Sequence, residues 1–84
     1  MTIDDAPTTG LLADVLTARR LPPPAVAKAI RAAASVSQRQ LASELGVNRV
    51  TVARWEAGSR RPRGPRLVRY VALLEALQKA CSGV

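Results

Sequence analysis

Residues 37–62 read SQRQLASELGVNRVTVARWEAGSRRP, and the parsing of this stretch decides the fold. Ser37, followed three residues later by Gln40, forms a capping box: the hydroxyl takes an open backbone N–H of a new helix and the Gln side chain reaches back. Leu41, Ala42 and Leu45 then recur at helical spacing as far as Gly46, which can end a helix in the left-handed conformation without steric cost. Val47 plugs the turn, Asn48 is a favoured N-cap for the next helix, and Gly58 ends that helix. Val52, Trp55 and Glu56 stand at i, i+3 and i+4 on one face of it, while Val50 and Arg54 point roughly the other way. Two short helices joined by a tight glycine turn, the second apolar inside and basic outside, make a helix-turn-helix over residues 37–58. Its second helix, residues 49–57, is of the kind that enters the DNA major groove.

Upstream, Pro24 sits in the first turn of a predicted helix that runs through Ala34 and buries Val26, Ala27, Ile30 and Ala33, with Arg31 beside that stripe. Before it, Leu21 and the run Pro22, Pro23 and Pro24 form a break. Leu11, Leu12, Val15 and Leu16 give an amphipathic helix at residues 10–20. That stripe either packs back on its own domain or serves as a dimer element. Residues 1–9 read as a flexible acidic tail, leaving residues 10–84 as a single domain. Downstream of Gly58, residues 59–66 carry four arginines, two prolines and no acid, which reads as a loop outside the core. A last helix is expected from Leu67 to about Ser82, apolar at Leu67, Val68, Val71, Leu74 and Leu77 and stopped by Gly83.

Composition agrees with one small helical unit. The chain has 84 residues, of which 48% are hydrophobic, yet Phe is absent and Trp55 and Tyr70 are the sole aromatics, so the core falls to Ala, Val and Leu. The expected fold is all-α, a compact bundle of about five short helices. The net charge is +7, and residues 1–18 hold Asp4, Asp5 and Asp14 with no Lys or Arg, so the positive excess lies in the rest of the chain. Such a charge points to a polyanion without choosing which one. No apolar run approaches the ~20 residues of a bilayer span, and the acidic start does not read as a signal peptide. A cytoplasmic protein without a membrane partner is expected. Cys81 has no partner for an internal disulfide and reads as a small filler near the end of the last helix. With no His in the chain, the usual zinc sets are out of reach. No metal or cofactor is expected.

With this pattern in register at Gln38, Leu41, Ala42, Leu45, Gly46, Val47, Val52, Trp55, Glu56, Gly58 and Pro62, residues 37–62 resemble the Cro/C1-type (Xre) helix-turn-helix family. The resemblance implies a lambda-repressor-like bundle. It places Arg49, Val50, Thr51 and Arg54 where members of that family touch base edges. Gln38 matches a phosphate-contacting glutamine, Asn48 a position that contacts the backbone, and Ser59, Arg60, Arg61 and Arg63 a phosphate-contacting stretch. Arg31 and Glu56 match a pair that in some members forms a largely buried ion pair. Each position also has an ordinary reading: Gln38 as a cap alone, Arg31 with Glu56 as a loose surface pair, Arg49 and Arg54 as a solvated face, Val50 as a spacer. Trp55 is read as structural. Ser35 departs from the family, standing where a glycine is frequent at the end of a helix. The family also often carries a further C-terminal helix for dimerisation, which this chain does not show; the helix at 10–20 is the candidate to replace it.

The function these readings imply is sequence-specific binding of double-stranded DNA by a transcriptional regulator. A repressor acting as a homodimer on a pseudo-palindromic operator is expected. The alternative is an antitoxin that binds a protein toxin and represses its own operon; a toxin or RNA polymerase is then a further partner. An enzyme is disfavoured, because the chain lacks His, paired carboxylates near a nucleophile and a glycine-rich phosphate loop. No motif marks an inducer pocket, so ligand-independent binding is expected.

Overall fold

A computed structural model describes residues 5–82, with side chains from residue 11. It holds five helices: α1 (Asp5–Arg20), α2 (Pro24–Ala33), α3 (Gln38–Leu45), α4 (Arg49–Ala57) and α5 (Gly64–Ser82). Among the described residues there is no strand. The helix boundaries follow from their caps. At the head of α3, Ser37 Oγ accepts the Gln40 N–H at 3.0 Å and the Ser37 N–H donates to Gln40 Oε1 at 2.8 Å. At the head of α4, Asn48 Oδ1 accepts the Thr51 N–H at 3.1 Å. Gly46 and Gly58 close these two helices at φ of 70° and 79°, a region where a Cβ meets the following carbonyl.

Helices α3 and α4 pack on each other, α2 packs on both α4 and α5, α5 also meets α3, and α1 lies along α5. The buried centre is Ala27 of α2, Leu41, Ala42 and Leu45 of α3, Val52 and Trp55 of α4, and Tyr70 and Leu74 of α5. Trp55 and Tyr70 are in contact, with ring centroids 4.8 Å apart and planes inclined at 39°. Aromatic pairs at such spacing contribute about 0.5 to 1.5 kcal/mol beyond area burial. The core thus uses both of the chain's aromatics, and Tyr70 is an addition to the Ala, Val and Leu expected from composition.

Several expectations need correcting. Val26 and Ala33 are exposed and Ile30 is half-buried, so α2 buries only Ala27 fully. α5 begins at Gly64, a turn before Leu67, because Pro65 is pre-shaped for a first helical turn. Val68 is exposed, while Pro62 is buried within the arginine-rich segment and pins it to the body. Cys81 is exposed and fills nothing.

α1 departs most. It takes in residues 5–9, part of the expected tail, while residues 1–4 lie outside the described residues, as does Gly83 at the expected stop of the last helix. The half-buried residues at its inner side are Asp14, Thr17 and, just past its end, Leu21; Arg20 bridges Glu75 of α5 at 2.6 Å. The helix does pack back on its own domain, but Leu11, Leu12, Val15 and Leu16 stay 43 to 67% exposed.

Candidate nucleic-acid interface

α4 turns Val52, Trp55 and Glu56 into the core and leaves Arg49, Val50 and Arg54 exposed, with Thr51 half-buried at the edge. The segment after it closes tightly: the N–H groups of Ser59 and Arg60 both donate to the Arg54 carbonyl, at 3.0 and 3.3 Å. Buried Pro62 then holds Arg60, Arg61 and Arg63 outward. Between α4 and this segment opens a basin of about 470 Å³ that Arg54, Arg60, Arg61, Arg63 and Arg66 line without any acidic residue. Ion pairs among the described residues engage only Arg20 and Arg31, so the basin arginines carry uncompensated charge. Arg66 was not singled out from sequence; the early start of α5 is what fixes it on the first turn beside the others.

Behind the exposed face lies a chain of charge-assisted hydrogen bonds. Glu56 is buried to 7% exposure, and Arg31 grips it with Nε to Oε2 at 2.6 Å and NH2 to Oε1 at 3.1 Å. A third Arg31 donor reaches the Val36 carbonyl at 2.7 Å. This is a bidentate buried pair, so the loose-surface reading of Arg31 and Glu56 is set aside. Burial opposes the charge on Glu56, but the donors of Arg31 and Gln38 outweigh it and hold the carboxyl below its ordinary range.

Gln38 connects this pair to the surface. Its Nε2 donates to Glu56 Oε1 at 3.0 Å, and its Oε1 accepts from Arg49 NH1 at 3.1 Å. The carboxylate can only accept, so it fixes which end of the amide faces inward and leaves the oxygen outward for Arg49. An amide nitrogen has two hydrogens, so one N–H of Gln38 remains for a phosphate. Asn48 similarly keeps its amide N–H pair while its oxygen caps Thr51. Ser59 differs: its hydroxyl donates to the Arg54 carbonyl at 3.3 Å, so its single donor is engaged in closing α4.

This arrangement, a helix-turn-helix with an acid-free basic face, defines a DNA-binding class of protein. A family model described as helix-turn-helix matches residues 28–78, more than half of the chain. The chain belongs to the Cro/C1-type helix-turn-helix family and is a DNA-binding transcription regulator. No curated protein and no solved structure matches it. No helix of the described residues is long and apolar enough to cross a membrane.

Proposed function

We propose that this chain is a cytoplasmic repressor that binds a pseudo-palindromic operator as a homodimer. Arg49, Val50, Thr51 and Arg54 face the bases of the major groove, and Gln38, Asn48, Arg60, Arg61 and Arg63 hold the flanking phosphates. Ser59 joins them when its hydroxyl, 3.3 Å from the Arg54 carbonyl, turns from that carbonyl to a phosphate. The observation that carries the reading is the continuity of the acid-free basic surface from α4 into the arginine basin. A groove about 12 Å wide accepts one helix, and the basin arginines then lie beside it, where the backbone runs.

Selection of binding sites from random duplex is the direct test. It should return a two-fold related sequence, and failure to enrich any sequence over the starting pool overturns specific binding. Arg60→Ala should weaken all duplexes alike and flatten the salt dependence by about one unit of slope, because one phosphate fewer releases its counterion. A sequence-dependent loss would move Arg60 from phosphate to base contact.

The exposed stripe of α1 favours a second reading, an antitoxin whose stripe receives a protein toxin. Co-purification of a stoichiometric second chain from the native host, released by Leu12→Ser with Leu16→Ser, separates it from the first.

A further inference from the structure

A second cleft, of about 340 Å³, lies on the other side of Arg60 and Arg61 from the basin. One wall is the end of α1 with the rigid run Pro22, Pro23 and Pro24; Trp55 and Tyr70 line its base; the segment from Gly58 to Pro62 closes the far side. Its volume falls at the lower end of the ~300 to 1,000 Å³ range of small-molecule sites. No Asp or Glu lines it, and the two arginines at its rim have no ion-pair partner among the described residues. Tyr70, 1% exposed, carries a buried hydroxyl with no hydrogen-bond partner among them. The cleft also touches the reading head directly. Pro24 stands 3.6 Å from where a Cβ on Gly58, the end of α4, would lie, and Trp55 lines both cavities.

We propose that this cleft takes a small amphipathic carboxylate, its aromatic or branched apolar body between the proline wall and Trp55 and its carboxylate on Arg60 and Arg61, and that occupancy weakens DNA binding. The chemistry follows from the lining. An apolar bed selects an apolar body, and guanidinium groups at one edge pair bidentately with a planar anion. The coupling follows from sharing: Arg60 and Arg61 line both the cleft and the basin, so an anion in the cleft draws away the charge that a phosphate needs. The coupling half rests on the DNA-binding reading above; the ligand half does not. Its walls come from three segments far apart in sequence, residues 18–27, 55–62 and 70, which is why no motif marks it, and the proposal runs against the expectation of ligand-independent binding.

Trp55, the single tryptophan, reports on the cleft without DNA present. Phenylacetate should change its emission saturably, with a dissociation constant on the order of millimolar for a ligand this small. Phenylacetamide, the neutral counterpart, and Arg60→Gln with Arg61→Gln should each bind at least about tenfold more weakly, as expected for loss of a charge-assisted pair. Ala18→Leu, on the exposed rim of the cleft, should abolish the response while the protein keeps operator binding. Saturating phenylacetate should lower operator affinity of the parent and leave that of Ala18→Leu unchanged. Equal binding of acid and amide, no saturable response, or an undiminished response in Ala18→Leu overturns the site. A cleft that saturates while operator affinity stays constant overturns the coupling. Absence of operator binding before any phenylacetate is added overturns the DNA reading instead, and the emission titration still judges the cleft.

Discussion

Arg54 and Glu56 stand two residues apart on α4 and do opposite work. Arg54 is exposed at the basin's edge, without an ion-pair partner among the described residues, so Arg54→Ala should leave stability nearly unchanged. It should remove about 1 to 3 kcal/mol of discrimination at one base pair, most simply a guanine. The check is the selected sequence logo of the variant, which should lose information at that position alone; an identical logo rejects Arg54 as a base reader. Glu56 acts through stability and through Gln38. Because its folded carboxyl is held below the ordinary value of 4.5, the stability it contributes is complete above that value. It is lost as pH falls through the lowered folded value. Thermal melts should therefore show Glu56→Gln well below the parent at neutral pH, with the gap narrowing as the solution is acidified below about pH 4. Breaking such a pair from one side costs about 3 kcal/mol. A gap independent of pH would mean that the carboxyl contributes by packing and not by charge.

Between α2 and α3 the backbone carries a strain that one substitution should relieve. Ser35 sits at φ 58°, a left-handed conformation that is unfavourable by about 1 to 2 kcal/mol for a residue with a Cβ. The turn needs it, because the next residue's N–H must come back to the Arg31 carbonyl, at 3.2 Å. Ser35→Gly should raise stability by roughly 0.5 to 1 kcal/mol, less than the full strain since glycine also loosens the unfolded chain. In a domain of this size that is a rise in melting temperature of several degrees; a fall would show that the serine hydroxyl contributes more than the strain removes. This position was legible as a departure from the family pattern, and the caps at Ser37, Asn48, Gly46 and Gly58 were legible outright, because each depends on local chemistry within four residues. Faces were harder. Helical spacing groups Leu11, Leu12, Val15 and Leu16 on one side of α1, and Val26 with Ala27 on α2, but it does not say which side of a helix meets a neighbour. On α1 the less apolar side, Asp14 and Thr17, faces α5, anchored by the Arg20–Glu75 bridge. Tyr70 was hidden for the same reason: its burial depends on Trp55, from a different helix. Gln38 was legible as a helix start and a phosphate contact, whereas its place between Glu56 and Arg49 needed three elements brought together.

At the scale of the whole molecule, a single α4 reads only a few base pairs, and one small module buries a modest DNA surface. Specific binding therefore calls for two copies, with half-sites about one helical turn, roughly 34 Å, apart. Of the apolar surfaces outside the helix-turn-helix, the α1 stripe is the largest left open, with Leu11 67% exposed and Leu16 50%. A stripe of four side chains is narrow beside the ~800 Å² per partner of a standard stable interface. The two-fold contact should therefore be weak in solution and should become effective on DNA, where two adjacent half-sites raise the local concentration of one copy about the other. Sedimentation should show mostly monomer for the free protein and a two-to-one complex on a duplex carrying both half-sites. On that duplex, Leu12→Ser with Leu16→Ser should bind as two independent copies, losing cooperativity while each half-site is read with unchanged affinity. Retained cooperativity in that variant would transfer the contact to α5, whose Val68 is also exposed, at 49%. A one-to-one complex of the parent with the full duplex at saturation would defeat the dimer itself.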